Sequence, residues 1–397
     1  MQHDYDVLIA GGGLVGGSLA LALENTPLRV GLIEALDDTG RLRAEAGQRA
    51  LALSRGTCQI LQSLGLWPDV KPQAMPIRHI HISERGRFGK TRLHADELGV
   101  EALGHVVVAR HLEQALITRL RSSSRCQSLC PARVMGLRAG ADGICVTLKH
   151  GHDDLNLTAR LLVAADGGDS TVRRLLDIPR HSNEYGHTAL VAEVATEKAN
   201  DYTAYERFTA TGPLALLPLT PHSSSVVWTL PHAEAEELRQ ESASVFNDRL
   251  QTAFGYWLGR LHLLDTPKAF ALKLILTEQM TAERVVFIGN ALHQLHPVAG
   301  QGFNLGLRDA AVLADHLATC QAFGEDPGHA DCLTRYAAAR QRDLQPVIRF
   351  TDGLARLFTR DWPALGVARS AAMTVLDCLP PAKRYLARQA MGYGVRF

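Results

Sequence analysis

Residues 5–17 read Tyr5-Asp6-Val7-Leu8-Ile9-Ala10-Gly11-Gly12-Gly13-Leu14-Val15-Gly16-Gly17, and the fold follows from them. The first six are a short apolar run rich in β-formers, which suits a strand buried on both faces of a parallel sheet. Gly11, Gly13 and Gly16 then fit G-x-G-x-x-G. In that motif the first glycine makes the turn, the second lets a pyrophosphate approach the backbone, and the third lets helix and strand pack closely. The run Gly17-Ser18-Leu19-Ala20-Leu21-Ala22-Leu23 is a helical segment of small and apolar residues that Pro27 closes. A second strand, Arg29–Ile33, ends at Glu34, eighteen residues beyond Gly16, where a carboxylate can accept from a ribose hydroxyl. Alone the glycine motif is weak. In this context it predicts a dinucleotide site, because a glycine-rich turn with no ligand would leave the position of Glu34 to chance.

Two later stretches read as strands of the same sheet, each ending in a turn: Leu161–Ala165 before Asp166-Gly167, and Arg284–Ile288 before Gly289-Asn290. After the first, Ser170 or Asp169 would cap a short helix. After the second comes Pro297-Val298-Ala299-Gly300-Gln301-Gly302-Phe303-Asn304, where the glycines stand at a predicted helix start. Free N–H groups and the positive end of the helix dipole would meet an electron-rich ring edge there. Between these strands, Thr188–Thr196, Tyr205–Ala210, Leu214–Leu219 and Ser225–Leu230 are short β-type runs without intervening amphipathic helices, the pattern of an antiparallel sheet. The predicted layout is α/β and discontinuous. A Rossmann-like dinucleotide domain takes residues 1–75, 103–180 and 275–345, an inserted α+β substrate lobe takes 76–102 and 181–274, and a C-terminal helical region takes 346–397. The arginines spaced through that last region read as a solvated helical cap, or as a surface resting on a membrane or partner.

Composition narrows the function. The chain has 397 residues, 46% hydrophobic and 21% charged, with 42 Lys and Arg against 41 Asp and Glu. A net charge of +1 gives no field to hold nucleic acid. The longest apolar runs, such as Leu161–Ala165 and the stretch Phe270–Leu276 broken by Lys273, fall well short of the ~18 residues that span hydrocarbon. Acids near the start, where a secretory signal carries basic residues, predict a cytoplasmic protein. The seven cysteines are scattered without a CxxC pair, which predicts reduced thiols. His293 and His296 have no Cys or acidic cluster at a ligand spacing, so no metal is expected.

The glycine motif with Glu34, the Asp166-Gly167-x-x-Ser170-x-Val172-Arg173 run and the Gly289-Asn290…Pro297-x-x-Gly300-Gln301-Gly302-x-Asn304 run together resemble the single-component FAD-dependent aromatic hydroxylases related to p-hydroxybenzoate hydroxylase. Gly47-Gln48-Arg49-Ala50-Leu51-Ala52-Leu53-Ser54, Glu206-Arg207-Phe208-Thr209 and Gly212-Pro213-Leu214-Ala215-Leu216-Leu217-Pro218 resemble the ubiquinone-biosynthesis hydroxylases within that group, most closely those acting on 2-polyprenyl-6-methoxyphenol. The resemblance implies a glutathione-reductase-like FAD domain. It implies that Gly11, Gly13, Gly16 and Glu34 hold the ADP half of FAD and that Arg49 and Arg110 approach its phosphate and ribityl region. Asp166 is implied in binding FAD and NAD(P)H; Gly289 and Asn290 would meet the ribityl chain. Pro297, Gly300, Gln301, Gly302 and Asn304 would lie about the isoalloxazine, the first four as the catalytic flavin environment. Asn290 departs from the family, which mostly has aspartate there.

The implied reaction uses NAD(P)H and O2 to hydroxylate a lipophilic prenylated phenol through a flavin C4a-hydroperoxide, with the hard chemistry supplied by the cofactor. Such a substrate would be collected at the inner membrane surface or handed over by other ubiquinone-biosynthesis proteins. No residue is assigned as base; Tyr205 and His187 are candidates for activating the phenol, although a packed tyrosine and a surface histidine are the plainer readings. Four alternatives stand beside this one. A hydroxylase of another ubiquinone ring position is the nearest. A hydroxylase of a small aromatic acid would have Arg207 as its only evident cation, and a non-catalytic flavin-binding subunit has Asn290 as its only hint. A pyridine-nucleotide dehydrogenase would not need the Gly300-Gln301-Gly302-x-Asn304 run.

Overall fold

The computed structural model describes residues 3–43, 45–295, 300–359 and 363–392. Its first sheet is the parallel one. The strands run in the order Thr281–Ala282, Val285–Phe287, Asp153–Ala164, Tyr5–Ala10, Val30–Ile33, Cys126–Leu129, with a hairpin, Ala132–Gly140 and Gly143–His150, branching from the Asp153 strand. Val7 pairs with Leu161 on one side and Val30 on the other, in parallel register, and all three are buried. Helices Leu14–Ala22 and Gln301–Ala322 pack against this sheet and each other. Their contact depends on small residues: a Cβ at Gly306 would stand 3.0 Å from Val15, and one at Gly16 would stand only 2.0 Å from the Gly11 carbonyl.

The second sheet carries the lobe. All four predicted β-runs lie in it, within strands Arg180–Thr196, Thr203–Thr209, Gly212–Thr220 and Ser223–Pro231. It is antiparallel except where Thr203–Thr209 runs parallel to His79–Glu84. The strand Lys268–Thr277 belongs to it as well, so a division after residue 274 would cut that strand. A third, three-stranded sheet, Ala50–Ser54, Gly104–Val108 and Met75–Ile77, was not anticipated; it sits where segments of the two lobes meet.

The C-terminal region differs from the solvated cap expected. A division between 345 and 346 falls inside one helix, Ala330–Thr359, at Pro346. The next helix, Pro363–Cys378, is tied to the edge strand Lys90–His94: Gly89 N–H donates to Ser370 Oγ at 2.7 Å, the Thr91 hydroxyl donates to the Met373 carbonyl at 2.9 Å, and Arg92 pairs with Asp377 at 2.9 Å. Arg369 and Glu84, both buried, form an ion pair at 2.6 Å. Cys320 and Cys332, expected as free thiols, are joined in a disulfide, with His316 Nε2 3.3 Å from Cys332 Sγ. No helix among the described residues is long and apolar enough to cross a membrane.

Arg340 is the clearest reversal. Read as one of the solvated arginines, it is 1% exposed and donates to Asp309 Oδ1 at 2.9 Å and Asp343 Oδ2 at 2.6 Å. Arg308 reaches the other Asp343 oxygen at 2.9 Å. His293 Nε2 and the Gly289 N–H both donate to Asp309 Oδ2, at 2.7 and 2.9 Å. Replacing one member of such a buried network leaves a charge without compensation. Arg340→Met is therefore expected to lower the unfolding free energy by about 3–5 kcal/mol, measured by urea unfolding. Burial opposes the Asp309 carboxylate, yet His293, Arg340 and the Gly289 N–H hold its pKa below 3.8, at about 2. A depressed native pKa stabilises the fold above the unfolded value, and that gain is lost as pH falls from 3.8 toward about 2.

Candidate active site

The strands of the parallel sheet deliver their carboxyl ends to one place. Tyr5–Ala10 ends at Gly11, Val30–Ile33 at Glu34, Asp153–Ala164 at Ala165, and Val285–Phe287 shortly before Gly289. Ligands of open α/β sheets bind outside these ends. A cavity of about 1190 Å³ opens there, lined by Gly13, Leu14, Val15, Glu34, Ala165 and Asn290, and it continues along Gly300–Asn304 to the lobe's sheet.

At the nucleotide end, Glu34 is fixed by two backbone donors: the Gly12 N–H reaches Oε2 at 2.8 Å and the Leu36 N–H reaches Oε1 at 2.9 Å. Gly11 has φ +102° and its missing Cβ would lie 2.5 Å from the Ala165 carbonyl, so only glycine closes this turn. Arg41, which the sequence reading passed over, is buried here; it donates to the Gly12 carbonyl at 2.6 Å and pairs with Glu113 at 2.5 Å. Burial raises the Glu113 carboxyl and the Arg41 guanidinium works against that rise. The only advance signal for Arg41 was a basic residue shortly after the Glu34 strand.

At the other end, Gly300 takes φ +59° and caps the helix Gln301–Ala322, whose first N–H groups have no intrahelical partner. Asn304 is buried and holds this turn. It accepts from the Ser54 N–H at 2.9 Å and donates to the Ala52 and Gly300 carbonyls at 2.9 and 2.7 Å. Its amide therefore fixes the cavity wall. Asp166 Oδ2 accepts from the Thr171 and Val172 N–H groups at 2.7 and 3.1 Å, while Ser170 caps the same helix through the Arg173 N–H at 3.1 Å. Asp166 does not line the cavity, although Ala165 and Gly167 do.

Arg49 lines the cavity with its guanidinium 5.4 Å from the centre of the Phe270 ring. Arg110 is exposed at the start of helix Ala109–Ser122 and is not part of the lining. Gln301 is buried in the wall; Gly289, at φ +57°, is held from below by Asp309. Pro297 and His296 lie outside the described residues. Tyr205 packs its ring on Phe254 at 5.4 Å and lines the cavity, whereas His187, whose Nδ1 bonds the Tyr185 carbonyl at 2.6 Å, does not. Arg207 lies over Trp257 at 4.6 Å and donates to the Ala253 carbonyl at 3.1 Å.

The cradle fits FAD on its own geometry. A Cβ at Gly13 or at Gly302 would meet nothing within 4 Å, so both glycines leave open space at helix starts where a cofactor would sit. A parallel-sheet dinucleotide domain joined through one cavity to an antiparallel lobe defines the class of FAD-dependent aromatic hydroxylases. The comparisons agree: the family model described as an FAD binding domain matches residues 4–351. Ubiquinone hydroxylase UbiL of Rhodospirillum rubrum is 36% identical, covering 98% of this chain and 89% of that protein. The 3-demethoxyubiquinol 3-hydroxylase of Escherichia coli is 28% identical, covering 98% of each. Among solved structures, p-nitrophenol 4-monooxygenase PnpA of Pseudomonas putida shares the fold, with a TM-score of 0.81 at 18% identity and 100% of both chains covered. The chain belongs to the FAD-binding domain family, among its ubiquinone-biosynthesis flavin hydroxylases, and is a flavin-dependent aromatic monooxygenase.

Two glycine substitutions separate cradle from scaffold. Gly302→Val has room to fold and is expected to melt within a few degrees of the wild-type apoprotein while losing bound flavin. Gly16→Ala forces a backbone shift and is expected to lose both stability and flavin. Flavin absorbance per protein and thermal unfolding of the apoproteins check the pair; a flavin-loaded Gly302→Val protein would count against the cradle.

Proposed function

We propose that the protein uses NAD(P)H and O2 to hydroxylate a polyprenylated phenol, 2-polyprenyl-6-methoxyphenol, in ubiquinone biosynthesis. The observation that carries this reading is the continuity of the cavity, from Gly13 and Glu34 past Gly300–Gly302 to the apolar face of the lobe's sheet. FAD bound there would supply the redox chemistry, hydride acceptance from a reduced nicotinamide and activation of dioxygen.

The chain's own residues do the rest. Gly11, Gly13, Gly16 and Glu34 would hold the ADP half, Arg49 would approach the phosphate and ribityl region, and Gly289, Asn290, Gly300, Gln301 and Gly302 would hold the flavin half, with Pro297 adjoining. Asp166 and Asn304 act by fixing the turns beside them, and Arg110 contributes from the rim. The N–H groups at the start of helix Gln301–Ala322 are preorganised donors for negative charge on the ring. Phe270, Leu272, Ala189 and Val191 line the chamber beyond and keep water from it.

The apolar end supports a tailed substrate. Leu93, Leu103, Met373, Leu376 and Leu386 line it; Val375 on helix Pro363–Cys378, Leu379 just after it and Tyr385 on the next helix, Pro380–Ala390, are exposed at 55, 49 and 67%. A prenyl chain could leave the chamber along this path and the helices could rest on a bilayer surface. A small aromatic acid is less well served: Arg369, a cation lining this end, is paired with Glu84. Hydroxylation at another ring position draws support from the likeness to the 3-demethoxyubiquinol 3-hydroxylase of Escherichia coli.

The test is the flavin spectrum under anaerobic conditions, before and after NADPH, with a prenylated methoxyphenol or a prenylated demethoxyubiquinol present. Faster bleaching with the methoxyphenol supports the reading, and faster bleaching with the demethoxyubiquinol moves the ring position. A bound flavin that no reduced nicotinamide bleaches under any condition overturns the hydroxylase in favour of a non-catalytic subunit.

A further inference from the structure

The strand Thr203–Thr209 alternates Ala204, Glu206, Phe208 on the face that lines the cavity. Glu206 stands opposite Ile82 on one neighbouring strand and Ala215 on the other. The same row continues to Thr91 beyond Ile82 and to Val227 and Val191 beyond Ala215. All five of those neighbours line the cavity too. Glu206 is thus the one ionisable group in an apolar row, and its carboxylate has no hydrogen-bond or ion-pair partner among the described residues.

The charged groups around it do not explain it. Glu84, on the same face two residues along the adjacent strand, is paired with Arg369 of the overlying helix at 2.6 Å. Arg207 and His81 point to the reverse face, where both stack on Trp257. Arg41, Glu34 and Glu113 belong to the nucleotide end, and Arg49 lies over Phe270 of the strand Lys268–Thr277. Burial lifts the Glu206 carboxyl to about 7. In the open cavity the residue is half-buried and water can reach it; an apolar phenol filling the chamber removes that water and sustains the shift. An unpartnered carboxylate in an apolar wall costs stability, and a pKa near the working pH is what a general base needs.

We propose that Glu206 is a catalytic carboxylate that accepts the hydrogen bond of the substrate's phenolic hydroxyl and, during hydroxylation, its proton. This rests on the hydroxylase reading above and names the base that reading lacks. The phenolic O–H bond breaks, the proton moves to a Glu206 oxygen, and the electron pair stays on the phenol oxygen, from which it enriches the ring carbons ortho and para to it. The attacked carbon gains an oxygen from O2 and loses its hydrogen as a proton; the phenolate then recovers the proton from Glu206. The second oxygen atom leaves as water, with two electrons supplied by NAD(P)H.

The experiment uses flavin-loaded wild type, Glu206→Gln, Glu206→Leu and Glu206→Asp with 2-farnesyl-6-methoxyphenol and its O-methyl ether. Binding is read from the flavin spectrum; product and hydrogen peroxide are read separately from pH 5.5 to 8.5. Wild-type kcat/KM for product is expected to rise with pH through about 7. Glu206→Gln should lose that limb, hydroxylate about 10²–10⁴-fold more slowly and divert oxygen to peroxide, while binding the phenol within about threefold because its amide carbonyl still accepts. Glu206→Leu should weaken phenol binding about tenfold or more and leave the ether unchanged. Glu206→Asp should restore part of the rate.

Stability gives a readout that a structural role would not move in this direction. A carboxyl raised from 4.5 to about 7 stabilises the fold below pH 4.5, and that contribution is lost as pH rises toward 7. Glu206→Gln should therefore melt higher than wild type at pH 7.5 while being the poorer enzyme. Coupled hydroxylation by Glu206→Gln within threefold of wild type, with the same pH limb, overturns the proposal and leaves the hydroxylase reading intact. So does wild-type protein that binds phenol and ether equally, which needs no variant to fold. Wild type that hydroxylates no phenol overturns both.

Discussion

The Asp309 carboxylate links parts of the chain that are far apart in sequence. One of its oxygens takes the Gly289 N–H at the end of a sheet strand and His293 just beyond it; the other takes Arg340 from the following helix. Asp309 itself sits on helix Gln301–Ala322, whose first turn forms the flavin end of the cavity. The helix start is thereby indexed against the sheet from inside the protein. Asn304, one turn from that start, indexes it a second time against the Ala50–Ser54 strand. A helix N-terminus can present preorganised donors only if it does not move, and these two residues provide that rigidity from opposite sides.

Much of this was legible in the sequence, for physical reasons. A buried parallel strand must be apolar on both faces, and a dinucleotide turn must be glycine where backbone approaches backbone; Tyr5–Ala10, Gly11 and Gly16 satisfy both requirements without help from the rest of the chain. The lobe's strands were readable because Gly and Pro punctuate them and no helical period intervenes. What was not readable depended on tertiary pairing. Arg340 has the spacing of a solvated arginine with Asp343 three residues along its own helix, and only the meeting of two helices gives it Asp309. Arg41 and Glu113, 72 positions apart, are in the same position. Cys320 and Cys332 carry no motif, and their disulfide follows from the path between two helices.

Asn304 and Asp166 teach a related point. Both belong to runs that carry the family resemblance, and both are engaged with neighbouring backbone, which they hold in the turns that border the cavity. A motif residue can be required for cofactor binding without pointing at the cofactor. Period-two alternation, in contrast, was a usable signal left unused. In Thr203–Thr209 it sets Glu206 between Ala204 and Phe208 on one face, and a carboxylate on the apolar face of a strand is a discordance between local pattern and fold.

Such discordances are informative because folding alone selects against them. Two other polar groups of the lobe are engaged with the C-terminal helix: Thr91 donates to a helix carbonyl, and Glu84 pairs with Arg369. These groups bind the C-terminal helix to the edge strand and so close the chamber. Glu206 holds nothing together. The cavity therefore divides chemically along its length, with hydrogen-bonded charges at the nucleotide end, fixed backbone donors at the middle and a single unpaired carboxylate in an apolar wall at the far end. A substrate that is apolar except for one hydroxyl is the complement of that far end, and its oxygen-bearing ring is brought into the same chamber as the helix start that Asp309 and Asn304 hold in place.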